Sequence, residues 1–82
     1  MKFREFEMKN NYGHNRIEVI RPEDLTTIEE KRYSNWYDWN GNHVDFNLDE
    51  CRSKYGDYSV VMFDYDETEK ELVIYLTEKP IF

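Results

Sequence analysis

The sequence predicts an α+β domain: a small antiparallel β-sheet of four to six strands, built from hairpins, with one or two short helices. Composition points there first. The chain has no Ala and no Gln, while it carries seven Tyr, five Phe, five Val and five Ile. Two strong helix formers are missing and pleated-surface residues stand in their place. Period-two alternation recurs, most clearly over residues 43–48, 57–65 and 71–77. Finally, 82 residues hold one domain, 1–82, whose thin, aromatic-heavy core is the only one available.

Taken in order, Lys2 to Met8 reads as a strand with Phe6 and Met8 on one face and Phe3 breaking the alternation. The turn-rich residues 10–15 then lead into a second strand, Arg16 to Ile20, and the pair reads as a hairpin. Pro22 suits the first position of a helix and Glu23 and Asp24 suit its dipole, so one to three turns are expected from Glu23 to Lys31. An extended segment competes, because Thr26, Thr27 and Ile28 are β-branched. Asn40-Gly41 marks a tight hairpin turn of type I′. Val44, Phe46 and Leu48 alternate after it and are expected to face the core, with His43, Asp45 and Asn47 on the other side. Leu48 to Tyr55 reads as a short helix, capped by Asn47 or Asp49 and closed by Gly56 at C′. The strands 57–65 and 71–77 are apolar on both faces, which predicts a sheet centre covered on each side; Lys79-Pro80 ends the pairing.

The formal charge is −7, with 11 basic against 18 acidic residues. Residues 44–82 hold 4 bases and 10 acids, whereas residues 1–43 are nearly balanced. Direct nucleic-acid binding is therefore not expected, since it needs a clustered positive surface. No apolar run is long enough to span a membrane, and the N-terminal residues lack the apolar stretch of a signal peptide. A single Cys51 forms no internal disulfide and fits a reducing, cytoplasmic compartment. A monomer is expected.

Three constellations stand out. Asp64, Asp66, Glu67, Glu69 and Glu71 crowd one hairpin tip. Carboxylates two residues apart on a strand lie roughly 6.6 Å apart, a row that resembles a line of backbone phosphates; the plainer reading is a solvated, edge-protecting turn. The same tip is similar to a calcium loop over Asp64-x-Asp66-x-Thr68, but Glu69 and Tyr75 stand where that loop needs Gly and Glu. Trp36, Tyr37 and Trp39 lie beside the Asn-Gly turn, either as core or as exposed anchors of the kind enriched at interface hot spots. His14, His43 and Cys51 are the soft metal ligands. A structural zinc there would staple a thin core, although local paired-ligand spacing is missing.

No catalytic motif is present, and so small a core leaves little room for a substrate pocket. The protein is expected to be no enzyme. In size, acidity and aromatic content, with Asp64, Asp66, Glu67, Glu69 and Glu71 at one tip, the chain resembles the small phage-encoded inhibitors of host defence, anti-CRISPR proteins above all, and also DNA-mimic antirestriction proteins. The resemblance implies a non-enzymatic inhibitor in the bacterial cytoplasm. Its partner would be a protein with a basic nucleic-acid-binding surface, an RNA-guided nuclease foremost, denied its DNA or guide RNA. The alternative is a small cytosolic protein-binding module, with or without zinc.

Overall fold

A computed structural model describes residues 1–10 and 13–78. It orders them as α1 (Phe3–Asn10), β1 (Gly13–Ile20), β2 (Thr27–Tyr37), β3 (His43–Phe46), α2 (Leu48–Tyr55), β4 (Ser59–Asp66) and β5 (Glu71–Thr77). The α+β class holds, with five strands in one sheet of order β3-β2-β1-β5-β4. Three pairings are antiparallel, and β1 runs parallel to β5, so the sheet is mixed.

That parallel pair follows from the first correction. Residues 2–8 are not a strand: α1 starts at Phe3. Phe3 and Phe6 are buried while Met8 is 80% exposed, which is helical rather than alternating spacing. The expected partner of β1 is thus absent, and β5 occupies that edge, delivered by its hairpin with β4. The turn expected over 10–15 includes residues 11 and 12, which lie outside the described residues, as does the Lys79-Pro80 stop.

A second correction concerns 23–31. Residues 22–24 form a turn closed by Leu25 N–H donating to the Arg21 carbonyl at 2.8 Å. The Asp24 carboxylate accepts from the Thr26 N–H and hydroxyl and from Arg21. Thr27 and Ile28 then enter β2, where branched side chains fit better than in a helix.

Both helices cover one face of the sheet. Register sets Ile17 beside Ile74 and Val19 beside Leu76. Phe3, Phe6, Leu48, Cys51 and Tyr55 close over them and over Tyr33, with Phe3 edge-on to Tyr33 at 5.9 Å. Each such aromatic stabilises by about 1.5–3 kcal/mol through burial. Glu7, 3% exposed, accepts from Arg52 Nη2 and Nε at 2.8 and 2.9 Å and ties α1 to α2.

No described element covers the opposite face. There Arg16 stands beside Val73 in register and bridges Glu18, Asp66 and Glu71. Val73 is buried beside this ion-pair lattice. The expectation of two covered central strands holds for neither strand as stated: β5 is central but open on this face, and β4 is an edge with Met62, Phe63 and Tyr65 exposed.

The helix α2 has its expected bounds, yet both ends differ in detail. Asn47 sits at φ 58 with no capping bond; its amide donates instead to the Arg32 carbonyl. Gly56 is right-handed, not the positive-φ C′ residue, and a Cβ there would lie 2.5 Å from the Arg52 carbonyl. Space, not φ, requires that glycine.

Candidate functional site

The topology settles where the two sequence-marked tips stand. β1 and β5 start at the same end of the sheet, where Asn15 pairs with Leu72. Gly13 pairs with Asn35 at that end, close to the β2–β3 turn. Asp66 pairs with Glu71 there, at the β4–β5 turn. The aromatic hairpin and the acidic hairpin therefore share one end of the molecule. In the strand order their turns are three strand spacings apart, roughly 14 Å.

The β4–β5 tip is held by Asp66. One carboxylate oxygen accepts from the backbone N–H groups of Thr68 and Glu69, at 3.0 and 3.1 Å, and the other meets Arg16 at 3.3 Å. Backbone donation from Glu69, then from Thr68, with Arg16 adding to it, holds this carboxyl below the usual carboxylate range. Lys70 closes the turn at φ 56. Glu71 is withdrawn from the surface: it is 5% exposed and paired with Arg16 at 2.5 Å and Arg32 at 3.3 Å. Of the five acids marked in the sequence, Asp64, Glu67 and Glu69 remain exposed. Asp66 and Glu71 hold the sheet together instead, a role that requires knowing that Arg16 and Arg32, register partners on β1 and β2, reach them across the sheet.

The β2–β3 tip carries the aromatics. Asp38 N–H donates to the Asn42 carbonyl and Gly41 N–H to the Asp38 carbonyl, at 2.9 and 3.0 Å. Of Asn40 and Gly41, only Gly41 has positive φ, at 79°. This is a three-residue loop with a glycine bulge, not the type I′ turn the dipeptide suggests. The Asp38 carboxylate accepts from the N–H groups of Asn42 and Asn40, both at 2.9 Å. Donation from the Asn42 backbone first holds its carboxyl low. Trp39 points wholly into solvent, at 103% exposure, Tyr37 stacks on His43 at 5.1 Å, and Trp36 lies on the opposite face. None of the three belongs to the core. Phe46, expected to face the core, is exposed as well.

His14, His43 and Cys51 are not brought together. His14 meets the Ser34 hydroxyl on the open face at 3.0 Å. His43 bonds the Asn35 amide oxygen on the helix side. Cys51 is buried in α2, and burial pushes its thiol up to about 11, far from a ready thiolate ligand. Among the described residues no three His, Cys, Asp or Glu side chains gather to hold a metal.

An open groove of about 540 Å³ runs along α2, lined by Lys31, Asp49, Glu50, Ser53, Lys54 and Tyr55. Its lysines are already paired, Lys31 with Glu50 at 3.0 Å and Lys54 with Glu29 at 2.5 Å. No helix of the described residues is long and apolar enough to cross a membrane. In comparisons with known proteins, no family model, curated protein or solved structure matches this chain.

Proposed function

We propose that this protein is a non-enzymatic inhibitor that docks one end of its sheet on the basic nucleic-acid-binding surface of a bacterial defence effector. An RNA-guided nuclease is the partner that the resemblance implies, with the chain itself phage-encoded and acting in the host cytoplasm. The observation that carries the reading is the shared end. Exposed Asp64, Glu67 and Glu69 supply charge, and Trp39 and Tyr37 supply apolar anchors, on neighbouring hairpins. Carboxylates steer an acidic surface toward a basic cleft, and exposed aromatics give the contact persistence once it forms. Occupancy alone then denies the cleft to nucleic acid.

The experiment is a titration of DNA binding by a purified RNA-guided nuclease against increasing amounts of the protein. DNA binding falls as the complex forms. A variant combining Asp64→Asn, Glu67→Gln and Glu69→Gln competes at least about tenfold less well, the consequence of losing even one desolvated charge pair. Asp66 and Glu71 are left intact, because they build the tip. Unchanged DNA binding at saturating protein, or full competition by the neutralised variant, refutes the reading.

A further inference from the structure

β4 is bonded to β5 on one side only. Its first residues are also used on the outer side, where Val60 N–H donates to the Met1 carbonyl at 2.8 Å and Lys2 bridges Ser59. Beyond Val60, no backbone pairing reaches the outer edge of β4 among the described residues. Alternate residues of a strand address opposite edges. The bulge between Val60 and Met62 shifts that alternation by one residue, so Phe63 and Tyr65 follow Val60 in facing outward. Tyr65 N–H accordingly donates to the neighbouring Asp64 carboxylate, at 2.8 Å.

Exposed edges are commonly blunted by Lys, Pro or a bulge. Residues 59–66 contain neither Lys nor Pro, and their bulge lies at the start of the strand, before Phe63. They present Met62, Phe63 and Tyr65, each more than half exposed, with Asp64 among them. We infer that the outer edge of β4 receives an extended segment of a basic protein partner by β-strand addition, a segment in which Lys or Arg alternates with apolar residues. The inference rests on the docking reading for its basic partner, and adds that partner's conformation and residue pattern.

The Phe63 N–H and carbonyl and the Tyr65 carbonyl supply the ladder, and the Tyr65 N–H joins it when an incoming Lys or Arg draws the Asp64 carboxylate away. Side chains sort by face. Asp64 and Met62 lie on the open face, whereas Phe63 lies on the helix side, 5.0 Å from the Phe6 ring, with Tyr65 two residues on. An added strand sets every second residue against each group, so basic residues meet Asp64 and apolar ones meet Phe63 and Tyr65. A second copy of this chain is the wrong occupant. Antiparallel pairing of two β4 edges would oppose acidic strands in chains of net charge −7.

The test is a fluorescence-anisotropy titration of the full chain with a labelled octapeptide of alternating Lys and Val. A second peptide has the same composition in two blocks. Two more carry N-methyl groups on the odd or on the even residues, each removing the donors of one peptide edge. Strand addition predicts binding of the alternating peptide and a loss of about tenfold or more in at least one methylated form, as ladder hydrogen bonds vanish. It also predicts weaker binding of the block peptide. Asp64→Lys weakens binding about tenfold, while Glu23→Lys, on an exposed turn at the opposite end, leaves it unchanged. No binding of the alternating peptide, equal binding of both methylated forms and the parent, or equal effects of the two charge reversals overturns the inference. Equal peptide binding alongside loss of DNA competition in the neutralised tip variant would remove strand addition and leave the docking reading standing.

Discussion

At the β2–β3 tip the Asp38 carboxylate accepts two backbone N–H groups, those of Asn40 and Asn42; at the β4–β5 tip Asp66 does the same for Thr68 and Glu69. Each turn also contains one residue at positive φ, Gly41 at 79° and Lys70 at 56°. The scaffolds match, and the presented chemistry does not. One tip lifts Trp39 into solvent, while the other presents Glu67 and Glu69. The difference teaches that an aspartate in a turn and an acid on a turn do separate jobs. The first satisfies the backbone, and the second is left available to a partner.

The largest effect should come from confusing those jobs. Glu71→Ala removes the buried carboxylate that Arg16 and Arg32 share, leaving Arg16 with Glu18 and Asp66, and should destabilise by about 1.5–3 kcal/mol in urea unfolding. Glu67→Ala and Glu69→Ala should stay within about 0.5 kcal/mol of wild type; equal losses across the three would erase the distinction. Next, Gly41→Val forces a β-branched side chain to positive φ and should cost about 1–2 kcal/mol, seen as a lower melting temperature. Asp38→Ala and Asp66→Ala should each lower the melting temperature at pH 7, Asp66→Ala by more because its carboxylate also pairs with Arg16. Both carboxyls titrate below their unfolded value, so their stabilisation is complete above about pH 4 and is lost as pH falls through the depressed folded value. The gap between wild type and each variant should therefore close in acid, and a gap that persists there would refute the turn role. One further change has the opposite sign. Lys70→Gly relieves a left-handed lysine and should stabilise by about 0.5–1 kcal/mol in the same unfolding assay.

The fold class, the strand 71–77, most of the strand expected at 57–65 and the helix 48–55 were legible because alternation and helical apolar spacing are local signals, whereas the expected caps at Asn47 and Gly56 did not form as read. The first helix was not. Phe3 and Phe6 fit a helix at i, i+3 as well as Phe6 and Met8 fit a strand at i, i+2, and only burial against Tyr33 and Phe63 decides between them. Thr27 and Ile28 show the reverse error, where Pro22 and Glu23 suggested a helix and branched side chains carried the strand. The acidic and aromatic tips were visible as clusters. Their placement at one end depends on β5 pairing parallel to β1, a contact between residues more than fifty positions apart that no local pattern encodes. The same distance hid the partners of Glu71 and, through the register of β4 at the sheet edge, the exposure of Phe63 and Tyr65.

The central claim is that both hairpin tips form one docking end. Amide hydrogen exchange of the protein, alone and bound to an RNA-guided nuclease, tests it most directly. Added protection is expected at residues 38–43 and 63–70 together, with the turn at 21–26 at the far end unchanged. Protection confined to the groove along α2 or to that far turn, with both tips exchanging as in the free protein, would contradict it.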